Sequence, residues 1–174
     1  MQNIKAYIML VCASLFWAGN FMIGKYAFLT EIPPLSLVFY RWSLVWIILL
    51  PFTYKEIIKY KDTILNNIPI LFFLGLTSVG LFNSFTYLSL IHTQVINASL
   101  FNTAIPAIII LLCFLFKIEK TNKFQILGLV ISVCGILAII TKIKLTILLS
   151  LNFNKGDLIM IGGVITWGVY STLL

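Results

Sequence analysis

Six uninterrupted apolar blocks constrain this chain more than any other feature of its sequence. They cover residues 6–29, 34–53, 68–91, 95–116, 124–141 and 158–174, and a helix needs roughly 20 residues to cross the hydrocarbon core of a bilayer. With 61% hydrophobic and 10% charged residues, the chain has too little polar surface to cover a water-soluble globule. A backbone in lipid satisfies its hydrogen bonds only as helices or as a closed barrel, and these blocks are far longer than the ~10-residue strands of a barrel. The expectation is an all-α integral membrane protein.

The first block carries Trp17, Asn20 and Lys25 and has no small-residue cleavage pattern, so it reads as a retained helix and not as a removable signal peptide. Short connections make neighbouring helices antiparallel, and Pro33-Pro34 forces a sharp entry into the second helix. Lys5, the 55–61 cluster (Lys55, Lys59, Lys61) and the 117–123 cluster (Lys117, Lys120, Lys123) lie on one side, against Lys142, Lys144 and Lys155 on the other. The positive-inside rule then places the N-terminus in the cytoplasm. The net charge of +7 reports this topology, since the lysines sit between apolar blocks and form no nucleic-acid-binding stripe. The 142–156 link is apolar enough to lie along the interface, or it is an irregular linker.

The block at 158–173 repeats the layout of 7–25 at an offset of 150 positions. Small residues (Cys12 and Ala13; Gly162 and Gly163) precede Trp17 or Trp167, followed by Ala18 or Gly168. Similarity at a long fixed offset marks transporters assembled from structural repeats. Five helices before the repeat begins again means that helix six enters from the side opposite to helix one. The expected fold is therefore a five-helix transporter repeat at 1–141, a link at 142–156, and at 157–174 the first helix of an inverted second repeat.

Polar side chains inside a membrane need a partner or a purpose. At ~1.5 Å per residue, Arg41 and Asn102 lie about 10 Å below the outer ends of their helices, with Asn83 and Asn20 slightly deeper. On helix one Ala13, Trp17, Asn20 and Gly24 share a side; on helix three Gly80, Asn83 and Tyr87 do; on helix four Ser99, Asn102, Thr103 and Pro106 do. Pro106 lacks the N–H that would bond the carbonyl of Asn102. A substrate pocket lined by Trp17, Asn20, Arg41, Asn83, Tyr87, Asn102 and Pro106 is the reading these positions support. The plainer alternatives are asparagines that merely hold the bundle together and an Arg41 that reaches Glu31 at the outer surface. Lys25, about 140° around from Asn20, is expected to snorkel outward. Gly128, Ser132 and Gly135 read as a packing face of helix five.

Cys12, Cys113 and Cys134 are widely spaced in apolar blocks, without histidine neighbours, so neither a disulfide framework nor a metal site is expected. No phosphate-binding loop, buried carboxylate pair or nucleophile with a base is present. No enzyme activity, catalytic residue, cofactor or nucleic-acid partner is expected.

Several of these residues, taken in order, resemble a known family. Trp-Ala-Gly-Asn-Phe at 17–21 with Lys25, the Pro34 to Arg41 spacing, Tyr87-Leu88-Ser89-Leu90 with Thr93, Ala98 and Ser99 leading to Pro106, then Glu119, Gln125, Gly128 and Gly135, resemble the EamA-type repeat of the drug/metabolite transporter superfamily. Gly156-Asp157 with Trp167 and Tyr170 resembles the opening of that family's second repeat. The resemblance implies a ten-helix secondary transporter of the bacterial plasma membrane with two inverted repeats, four helices of which would follow Leu174. It implies export of small metabolites or drugs by alternating access; Arg41 favours an amino acid or organic acid as substrate. Glu119 reads as a structural partner of Lys120 or Lys123. A missing second repeat or a second copy of the chain would complete the site. The rival reading is a non-transporting membrane interaction subunit or an inactive truncated product.

Overall fold

The computed structural model describes residues 2–118, 122–141 and 154–174. Among the described residues every element is helical and there is no strand. We number six long helices: α1 (Gln2–Leu29), α2 (Pro34–Lys59), α3 (Ile68–His92), α4 (Val95–Leu115), α5 (Lys123–Thr141) and α6 (Lys155–Leu173). All except α5 are long and apolar enough over the described residues to cross a membrane, and the Lys123–Gly135 stretch of α5 is apolar as well. A six-residue helix, Lys61–Asn66, joins α2 to α3. The reading of the 142–156 link and the pairing of Glu119 fall largely or wholly outside the described residues.

Large apolar side chains stand exposed around the bundle, among them Phe16, Phe39, Trp46, Phe52 and Phe72, each more than 60% accessible. An apolar surface this continuous has lipid as its solvent. The chain is a multi-pass membrane protein.

Helix ends follow their local chemistry. Pro34 opens α2 at a position where its missing N–H costs nothing. At the end of α1, Glu31 takes a left-handed φ of 63°, while its N–H bonds Phe28 O and that of Ile32 bonds Ala27 O. That pattern closes the last turn on its own carbonyls. Lys117, with φ 54°, repeats it after α4. The α6 N-terminus carries a capping box: the Asn154 side chain accepts from the Asp157 N–H, and the Asp157 carboxylate accepts from the Asn154 N–H.

Two long helices are irregular in the middle. In α3, Leu76–Leu81 forms a π turn, and the carbonyls it perturbs are met by side chains. Thr77 and Ser78 hydroxyls donate to Phe73 O and Leu74 O, and the Asn83 amide donates to Ser78 O and Val79 O. In α4, the helix ends at Asn102 and restarts at Ile105, one residue before Pro106. The proline thus sits in a first turn and not within an unbroken helix.

The core lies where α1, α3, α4 and α6 meet, around Phe21, Phe82, Tyr87, Leu90, Ala98, Met160 and Val164. Contacts along the seam fix helix directions. Asn20 meets Tyr87 and Lys25 reaches Leu90 and Thr93, so α1 and α3 run the same way. Thr93 meets Asp157, Ser89 meets Met160, and Phe82 meets Trp167, so α6 runs against α3 and hence against α1. The expected packing face of α5 has no neighbour among the described residues: none lies within 4 Å of a Cβ built on Gly128 or Gly135.

Candidate functional site

Four of the polar residues singled out in the sequence converge from three helices. Arg41 of α2 donates from Nη1 to Asn20 Oδ1 of α1 and to Tyr87 Oη of α3, and from Nη2 to Asn83 Oδ1 at 3.0 Å. The Tyr87 hydroxyl also bonds Asn20 Oδ1. Arg41 therefore does not use Glu31 as its partner; among the described residues the single ion pair is Lys59 with Glu56, 3.6 Å apart.

The local sequence explains the convergence. Gly24 lets the Tyr87 ring lie on α1, since a Cβ there would stand 2.7 Å from Tyr87 Cδ1. The two hydrogens of the Asn83 amide are committed to Ser78 O and Val79 O of the π turn, which leaves its oxygen facing Arg41. Gly80, expected on the same face, is part of the π turn, and Ser78 and Val79 face the cavity in its place. The changed helical repeat over 76–81 is the cause.

Beside Arg41 lies a cavity of about 730 Å³ whose walls include Trp17, Asn20, Arg41, Trp42, Ser78, Phe82, Asn83, Trp167 and Tyr170. The aromatic wall is continuous: Trp167 packs on Phe82 (centroids 4.6 Å), on Tyr170 (5.2 Å) and edge to face on Trp17 (5.6 Å). The guanidinium carbon of Arg41 sits 5.3 Å from the Trp42 ring and 5.6 Å from that of Tyr87, within cation–π range. Tyr87, expected in the pocket wall, is buried, 1% exposed, behind the guanidinium and is not among the residues lining the cavity.

Asn102 and Pro106 are placed elsewhere. Neither is among the residues lining the cavity; Pro106 is exposed, and Asn102 Oδ1 is buried with no partner among the described residues. Phe82, Trp42, Ser78 and Val79 went unnoticed in the sequence. Of the α6 residues at the cavity, Trp167 stands out in the sequence through the repeat of the Trp17 pattern, and Tyr170 through the resemblance to the opening of a second repeat.

The charge balance is the main chemical property of the site. Arg41 is a permanent cation inside an apolar bundle, and its described partners are all neutral oxygens. Of its five N–H groups, three have these acceptors. The Nε–H and one Nη2 N–H have none among the described residues. A guanidinium with N–H groups to spare can bind a carboxylate. Among the described residues there is no cluster of three or more His, Cys, Asp or Glu that could hold a metal.

Comparison with known proteins agrees with the fold. The model of the EamA-like transporter family matches residues 4–141. The chain is 29% identical over 176 residues to the uncharacterized transporter YyaM of Bacillus subtilis, covering 99% of this chain and 56% of the relative. It is 31% identical over 175 residues to an uncharacterized transporter of Archaeoglobus fulgidus, covering 99% of this chain and 58% of the relative. The chain thus spans a little over half the length of these relatives. No solved structure gives a significant match.

Proposed function

The chain belongs to the EamA-like transporter family, and we propose that it forms the first repeat, with the first helix of the second, of a secondary transporter moving small organic anions by alternating access. The observation that carries the substrate class is Arg41, a cation beside the cavity held, among the described residues, by neutral groups. A carboxylate would complete its fork and neutralise its charge, both of which count for more in an apolar surrounding. Amino acids and organic acids are the candidate substrates, with aromatic walls for their apolar parts. The remaining walls come from further helices of the second repeat or from a second copy.

The lysine-rich connections face the cytoplasm of a bacterial cell in this reading, and export is the favoured direction. The test is counterflow of radiolabelled amino and organic acids in vesicles holding the native protein or Arg41→Gln. Carboxylate uptake lost in the variant supports the proposal. Acceptance of hydrophobic cations alone, with no carboxylate exchanged, overturns the substrate class. A second reading, a membrane subunit that docks a partner without transport, draws on the open Gly128 and Gly135 face of α5.

A further inference from the structure

The seam between α1, α3 and α6 is sealed at one end and open at the other. At the sealed end Ser89, Leu90 and Met160 are fully buried and Thr93 is 4% exposed. Towards the other end, past Arg41, the seam widens into the cavity, whose walls there include Trp17, 43% exposed, and Trp167. The seal begins about one helical turn beyond the Asn20, Arg41 and Tyr87 cluster, so it lies directly over the cavity.

The seal is built from charged and polar groups gathered on Thr93. Lys25 Nζ of α1, expected to point outward, instead donates to Leu90 O at 2.6 Å and Thr93 O at 3.2 Å. These carbonyls end α3 and lack intrahelical partners, and a cation there also meets the negative end of the helix dipole. Thr93 Oγ1 donates to Asp157 Oδ1 of α6 at 2.7 Å, and Asn154 Nδ2 donates to Thr93 Oγ1 at 3.4 Å. Backbones touch here too: a Cβ on Gly156 would stand 2.5 Å from Ser89 O and 2.8 Å from Thr93 N.

We propose that Lys25, Thr93 and Asp157 form a latch that closes the cavity at the end carrying the α1–α2 and α3–α4 connections, and that it breaks when the transporter opens there. The design is one of opposite charges that share a neutral intermediary. Lys25 and Asp157 are not an ion pair; each binds Thr93, so withdrawing α3 releases both at once. Neither charge is then left buried, because both sit near a helix end where water and headgroups can take them up. A direct buried ion pair would be costlier to open. The device rests on the alternating-access reading above.

The test uses the full chain with Cys12, Cys113 and Cys134 replaced by alanine and a reporter, Ile23→Cys, in the cavity wall beside the latch. A membrane-impermeant maleimide is applied to right-side-out and inside-out vesicles, and counterflow is measured in parallel. With the latch intact, labelling from the sealed end is expected to be at least tenfold slower than from the open end. Lys25→Met and Thr93→Val should each raise the sealed-end rate about tenfold and lower the open-end rate, while Thr93→Ser restores the native ratio. Unchanged ratios in both variants overturn the latch, as does a rise from both ends, which would mean that these contacts merely hold the bundle together. Absence of counterflow in the native chain overturns the transport reading instead, whatever the labelling shows.

Discussion

Trp17 and Trp167 meet edge to face, ring centroids 5.6 Å apart and planes at 75°, although 150 residues separate them. They occupy the same place in two copies of one sequence pattern, on helices that run in opposite directions. Edge-to-face pairs of this kind contribute about 0.5–1.5 kcal/mol beyond the area they bury. A double-mutant cycle with Trp17→Leu and Trp167→Leu, followed by unfolding in mixed micelles, should give a coupling energy in that range. Strict additivity would show that the rings are merely adjacent.

Arg41→Lys should abolish carboxylate counterflow almost as fully as Arg41→Gln, by more than about tenfold. An ammonium keeps the charge but cannot span Asn20, Tyr87 and Asn83 while presenting a planar fork to a carboxylate. Retention of half the native rate in the lysine variant would mean that charge alone suffices.

Asn20→Asp tests the charge balance from the other side. The new carboxylate would lie on Nη1 of Arg41 and satisfy internally the cation that a substrate anion is proposed to neutralise. Counterflow of carboxylates should fall at least tenfold while the protein remains folded and in the membrane. Unimpaired exchange would remove Arg41 from substrate recognition.

Gly156→Ala should lower thermal stability in detergent, because the added methyl meets the backbone of Ser89 and Thr93 and one helix must move away. Overpacking of this sort costs about 1–3 kcal/mol. Gly128→Ala, which meets nothing within 4 Å among the described residues, serves as the contrast and should cost no stability. Equal melting temperatures for both variants would show that the α3–α6 contact is looser than its geometry.

Asn102→Ala should leave carboxylate counterflow within about threefold of native. Its side-chain oxygen is buried without a described partner and stands apart from the cavity. Removing an unsatisfied acceptor relieves a desolvation cost instead of creating one, so stability should hold or rise. A loss of transport as deep as that of Arg41→Gln would return Asn102 to the substrate path.

Helix positions were legible in the sequence because lipid demands long apolar runs, and each expected block lies within or closely matches a described helix. The gathering of Asn20, Arg41, Asn83 and Tyr87 was legible for a related reason: polar groups at one depth on neighbouring helices have only one another to bond. The inward turn of Lys25 was not. An angle measured around α1 locates Lys25 relative to Asn20, but not the carbonyl end of α3 that lies beside it. The expected common face of Asn102 and Pro106 was not legible either, since the break at 103–104 separates the turn of Asn102 from the one that Ile105 begins. Side-chain donors at Thr77, Ser78 and Asn83 were visible as letters, yet nothing local tells a π turn from an ordinary one.

That turn alters how α3 must be read along its length. An α-helix advances about 100° per residue, and a π turn accommodates one residue more than an α turn does. The stripe of α3 that faces lipid before Leu76 is therefore rotated by about that angle after Leu81. A scan of single substitutions through α3 should show two wheels out of phase, with tolerance to polar residues following one azimuth up to Gly75 and another from Phe82 onward. Any relative that lacks the extra residue would have to move its counterpart of Asn83 a quarter turn from the guanidinium, or else acquire a different partner for it.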